Sequence, residues 1–170
     1  MPCPSCGTTT FFDILIRLPR HAADNERRYS LSARLQKRIK TLLDNYDVCF
    51  DETRPPSELT IDHKFPSSRW VQGESINEPN MPNESIRKKF QLLTNQANLQ
   101  KERYCKRCVL HGIRGDYFGI KWFYEGDEHW RGSSKADELG CIGCCWYDMA
   151  EWKRRFAAML ASNKNILRNP

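Results

Sequence analysis

The chain of 170 residues lacks any long apolar run. The longest stretch near its start, Phe11 to Leu18, is interrupted by Asp13 and Arg17 and is too short and too charged for a membrane span or a signal peptide. The expectation is a cytoplasmic protein. No internal repeat or low-complexity tract is present. Hydrophobic residues make up 39% and charged residues 28%, the composition of a folded globular chain and not of a disordered or membrane one. The length allows one compact domain, or one core with an appended zinc-stabilised lobe.

What the chain has in quantity is cysteine and positive charge. Eight cysteines without a secretion signal argue against a disulfide framework and for thiolate metal ligation in a reducing compartment. Lys and Arg number 27 against 21 acidic residues, a formal charge of +6, which favours a polyanionic partner. Distribution says more than the total. From Arg87 to Cys108 there are seven basic residues (Arg87, Lys88, Lys89, Lys101, Arg103, Lys106, Arg107) and one acid, Glu102.

Local pattern divides the chain into four stretches: an N-terminal region 1–45, a core 46–104, a cysteine-bearing lobe 105–147 and a last helix 148–170. Residues 11–18 read as a strand ended by Pro19. Ser30 or Ser32 can cap a helix with Leu31, Leu35, Ile39, Leu42 and Leu43 on one face. Leu59 to Phe65 alternates as a strand stopped by Pro66. Residues 71–84 read as a long exposed loop, Phe90 to Leu93 as a second strand, and Gln96 to Tyr104 as a helix. Tyr117 to Tyr124 suggests one or two short strands. Asp148 is a candidate N-cap for a helix with Trp152, Phe156, Met159 and Leu160 at helical spacing, a stripe that belongs to the core.

Within the core, Ile61-Asp62-His63-Lys64 puts a carboxylate beside an imidazole at a strand end, and Asn98 and Lys101 lie three apart on one helix face. Phosphodiester hydrolysis needs an activated water, a cation to neutralise developing charge, and groups to hold the cation. Adjacent strand residues point to opposite faces, so convergence of Asp62 and His63 requires a bulge or twist just before Pro66.

The order of Asp-His on a first strand, a long loop, a second strand and Asn-x-x-Lys in a helix resembles the HNH, or ββα-metal, nuclease family. That resemblance implies an α+β fold, with a ββα-metal core over 46–104 and flanking helices. It implies His63 as general base, Asp62 and Asn98 as ligands of one magnesium ion, and Lys101 at the phosphate. The middle position of the family signature falls near Lys89 and departs from the usual Asn. Thr94 and Ala97 stand where many members carry cysteines.

Cys105-x-x-Cys108 and Cys141-x-x-Cys144, separated by 32 residues, are instead expected after the helix, and their spacing suits one tetrahedral structural zinc. Phe-Gln-Leu-Leu to Asn, followed by two Cys-x-x-Cys pairs and a Trp, is similar to a group of small type II restriction endonucleases over roughly residues 58–147. The implied activity is site-specific cleavage of double-stranded DNA, by a homodimer on a palindrome. A homing, phage or toxin-type HNH nuclease is the alternative within that class. A non-catalytic zinc-bearing DNA-binding module is the alternative outside it.

Arg69 and Trp70 either contact DNA or pin the loop to the core. Arg87, Lys88, Lys89 and Arg103 are candidate DNA contacts. Cys3 and Cys6, with Cys49, Cys145 or His21, form a second zinc site or remain free thiols. His111 and His129 read as surface residues.

Overall fold

The computed structural model describes residues 31–71 and 77–168, with side chains to 162. Cys3, Cys6, His21 and the candidate strand 11–18 lie outside the described residues. The described elements belong to one compact unit, Leu31–Pro170. It is a mixed α+β arrangement of four helices and two small two-stranded sheets.

The first helix, α1 (Ala33–Leu42), begins where Ser32 Oγ accepts from Leu35 N at 3.3 Å, and it buries Leu35 and Ile39 on the expected face. Asp44 and Asn45 turn the chain at φ 55° and 49°, a conformation that short polar side chains tolerate. A minimal hairpin follows, β1 (Tyr46–Asp47) with β2 (Glu52–Thr53). Val48 N donates to Leu92 O at 3.1 Å and ties this hairpin to the central pair.

That pair is β3 (Leu59–His63) with β4 (Phe90–Thr94), antiparallel from Leu59↔Thr94 to His63↔Phe90. The register slips nowhere, and Lys64 N donating to Lys89 O at 2.9 Å carries it one step further. The expected bulge before Pro66 is therefore absent from the Leu59–His63 ladder. One face carries Leu59, Ile61, Leu92 and Phe90 into a core shared with α1 and Ile86. The other sends Leu93 into a second core with Ala97, Trp146, Met149 and Trp152. A strand buried on both sides reads as a nearly continuous apolar run.

Between the strands, from the last two residues of the expected loop onward, the chain forms a helix, α2 (Asn83–Lys89), with Glu84 in its first turn and Arg87, Lys88 and Lys89 in its last. This charge order suits the helix dipole. The third helix, α3 (Asn95–His111), starts directly from β4 with Thr94 Oγ1 accepting from Ala97 N at 3.3 Å. It runs seven residues past the expected end, to Gly112 at φ 68°. Cys105 and Cys108 therefore lie on α3 and not after it.

Residues 113–147 wrap this helix with little regular structure. In place of the expected strands over 117–124 there is only an isolated bridge, Tyr117↔Ile120, because Phe118 (φ 47°) and Gly119 (φ 89°) turn the chain too sharply to extend it. The last helix, α4 (Met149–Arg168), opens with Asp148 Oδ1 accepting from Glu151 N at 3.1 Å, the expected cap. Among the described residues no helix is long and apolar enough to cross a membrane.

Candidate active site

Alternation along β3 decides how its polar residues are used. Asp62 stands opposite Gln91 and His63 opposite Phe90, so the two neighbours face different sides of the sheet. Asp62 looks toward α3 and α4. Its Oδ2 takes bonds from Gln91 Nε2 at 2.8 Å and from Lys101 Nζ. Among the described residues no hydrogen bond reaches Oδ1. Burial pushes the Asp62 carboxyl upward, against the opposing pull of Lys101 and Gln91.

His63 lies on the other face, 4.6 Å from the Phe90 ring and 4.7 Å from Trp70, ring centre to ring centre. Burial lowers its pKa to about 4, helped by the Lys89 charge and partly offset by Asn77. The imidazole is neutral near pH 7, and its Nε2 is buried with Asn77 as its polar neighbour.

Lys101, expected at a phosphate, lies in the interior among intramolecular acceptors. It is 2% exposed, and its ammonium donates to Asp62 Oδ2, to His63 O at 2.6 Å and to Lys64 O at 3.0 Å. Asn98, half-buried, precedes it by one turn of α3. The structure thus joins Asp62 to Lys101 directly, and joins His63 to that group only through its backbone carbonyl.

Two participants were not singled out from the sequence. Gln91 holds Asp62 and also accepts from Met149 N at 3.3 Å, linking β4 to the start of α4. Its signal was a lone polar residue inside an apolar strand, which must find partners when buried. Lys64 pairs with Asp148 at 2.6 Å. Both line a cleft of about 370 Å³ that also includes Arg87 and Asp148.

Of the candidate DNA contacts, Arg87, Lys88 and Arg103 are exposed, whereas Lys89 is half-buried with its ammonium 5.9 Å from the centre of the Phe90 ring. Arg69 is 2% exposed, donates to Cys108 Sγ at 3.1 Å and stacks 3.8 Å over Trp130. Of the two roles open to it, the structure gives it the pinning one. His111 and His129 are exposed, as expected.

Cys105, Cys108, Cys141 and Cys144 line one cavity of about 20 Å³, together with Arg69, Arg114 and Trp130. Among the described residues no group of three His, Cys, Asp or Glu side chains is already gathered as a metal-binding cluster. Desolvation raises the Cys105, Cys108 and Cys141 thiols, Cys141 to about 11. Cys144 is lowered, chiefly by a bond with the neighbouring Cys145 thiol. Cys49 and Cys145 are buried free thiols in the second core.

No solved structure matches the chain. Among curated proteins it is similar to the type II restriction enzyme NlaIII of Neisseria lactamica, 34% identical over 77 residues. That match covers 43% of this chain and 31% of the relative, so the chain spans less than a third of the curated relative it matches. The family model described as ICEA protein matches residues 24–168, and the chain belongs to the ICEA protein family.

Proposed function

We propose that the protein is a site-specific double-stranded DNA endonuclease of the restriction type, built on a ββα-metal core. The observation that carries this reading is the succession β3, β4, α3, with a carboxylate and a neutral imidazole consecutive in sequence at the end of β3, on opposite faces of the pair. Similarity to a type II restriction enzyme supports it.

The Asp62 carboxylate, with Oδ1 free of hydrogen bonds among the described residues, and the carboxamide oxygen of Asn98 would hold a divalent cation such as magnesium. Oxygen donors of this kind suit a hard ion. Such an ion, when bound, neutralises charge on the phosphate and the leaving oxygen. His63 would offer a neutral imidazole nitrogen to take a proton from water. Lys101 holds Asp62 and the strand end in place.

Cys105, Cys108, Cys141 and Cys144 would hold a structural zinc, since four sulfur donors on one small cavity suit that ion. A homodimer would double the bases such a small protein reads.

Magnesium-dependent cleavage of plasmid DNA, abolished by chelator and by His63→Ala, tests the proposal. The acid limb of the rate profile should fall as pH drops toward the depressed His63 value of about 4, because protonation below that value removes the base. Cleavage by His63→Ala at wild-type rate would sink the assignment. The opposite facing of Asp62 and His63 favours one alternative, a zinc-bearing DNA-binding module without catalysis. Magnesium-independent DNA binding with no cleavage would establish it.

A further inference from the structure

Two buried cations face the cysteine cavity, and among the described residues no carboxylate pairs with either. Arg69 is 2% exposed and Arg114 8%. Arg69 donates to Cys108 Sγ at 3.1 Å and to Lys135 O at 3.4 Å. Arg114 donates to the carbonyls of Glu125 at 2.9 Å and Gly140 at 2.7 Å, and its Nε is buried without a partner. Among the described residues no partner of either guanidinium is a carboxylate. A buried charge is retained only where something of opposite sign compensates it.

The missing negative charge has an obvious source in the residues that share the cavity. Four neutral thiols supply none. Four thiolates around one zinc ion carry about two negative charges in excess, matching two guanidinium groups. Arg69 and Arg114 line the same cavity as the four cysteines, and Arg69 already donates to one of their sulfurs. Trp130 lines the same cavity and brings its buried indole Nε1 within reach of the Cys141 thiol.

We propose that Arg69 and Arg114 are the counter-charges of a zinc tetrathiolate formed by Cys105, Cys108, Cys141 and Cys144. Zinc retention then depends on two side chains outside the ligand set. The proposal rests on the zinc reading above and adds a connection to the strand end. Arg69 closes the short helical turn Ser67–Arg69, and the next residue, Trp70, packs against His63. Charge at the zinc thus fixes the segment that positions the candidate base.

The test is zinc retention against a competing chelator, measured on the full chain. The variants are Arg69→Met, Arg114→Met, Arg69→Lys and Arg114→Lys. Each methionine variant should hold zinc about tenfold or more weaker, the range for loss of an outer partner of a metal ligand. Each lysine variant keeps the charge while losing the planar fork, and should stay within about threefold of wild type. Cobalt-loaded variants should keep the thiolate-to-cobalt absorption of a four-sulfur site, showing that the ligands remain.

Methionine variants indistinguishable from wild type, or lysine variants as weak as methionine ones, overturn the proposal while leaving the zinc reading intact. A wild-type protein with neither zinc nor cobalt–thiolate absorption overturns both. Should a methionine variant fail to fold, the matching lysine variant decides: near-wild-type retention upholds the charge requirement, and a tenfold loss overturns it.

Discussion

Lys101 shows how one buried charge is accommodated. At 2% exposure its ammonium has three acceptors, one ionic and two backbone carbonyls. Removing one partner of such a pair strands the other charge, a loss of about 3–5 kcal/mol. Lys101→Met should therefore lower stability toward urea by that order. Adding Asp62→Asn should recover part of the loss, because the stranded carboxylate disappears while the two carbonyls stay unanswered. Strict additivity of the two substitutions in denaturation would show that the pair does not act as a unit. The same residues show what the sequence reveals about a site. Asp62, His63, Asn98 and Lys101 stand out as candidates by type and spacing. Which face each would occupy depended on the register of β3 with β4, and a bulge assumed for convergence is not there.

The elements were legible where burial follows one period. In α1, β3, β4 and the start of α4, apolar spacing and the caps Ser32 and Asp148 all point to one answer. The helix α2 was hidden because Ile86 is its one buried residue. The length of α3 was hidden for a related reason: its inward face carries Lys101 and Cys108 beside Ala97, so it does not read as an apolar stripe. Its end is set by Gly112, whose φ of 68° suits glycine and whose missing Cβ would meet nothing within 4 Å. Gly112→Ala should thus incur a backbone penalty alone, about 1 kcal/mol. At Gly115 an added Cβ would lie 2.6 Å from the Tyr104 ring, which stacks on Trp146. Gly115→Ala should lose more stability than Gly112→Ala, up to about 3 kcal/mol, through overpacking. Denaturant titration of both variants checks the order, and equal losses would contradict a purely conformational role for Gly112.

At the scale of the whole molecule, the positive charge of the described residues separates into buried and presented groups. Lys101, Arg69 and Arg114 serve the interior. Lys106 is paired with Glu102 at 2.6 Å, and Lys89 lies beside Phe90. What the Arg87-to-Arg107 segment offers to solvent is chiefly Arg87 and Lys88 in the last turn of α2, with Arg103 and Arg107 on α3. Arg87 also lines the cleft that reaches Gln91, the neighbour of Asp62, so a backbone held by α2 would pass the candidate site. Side chains of this kind bind phosphates and carry affinity without sequence information. Arg87→Gln with Lys88→Gln should therefore weaken binding to a cleavable site and to unrelated DNA by similar factors. The dependence of log affinity on log salt should flatten by about one unit for each phosphate that is no longer neutralised. The measurement is affinity over a salt series in calcium, which replaces magnesium without supporting turnover, with single-turnover cleavage in magnesium as its companion. Loss of discrimination between the two DNAs at unchanged salt slope would mean that α2 reads bases, and the backbone-track assignment would fail.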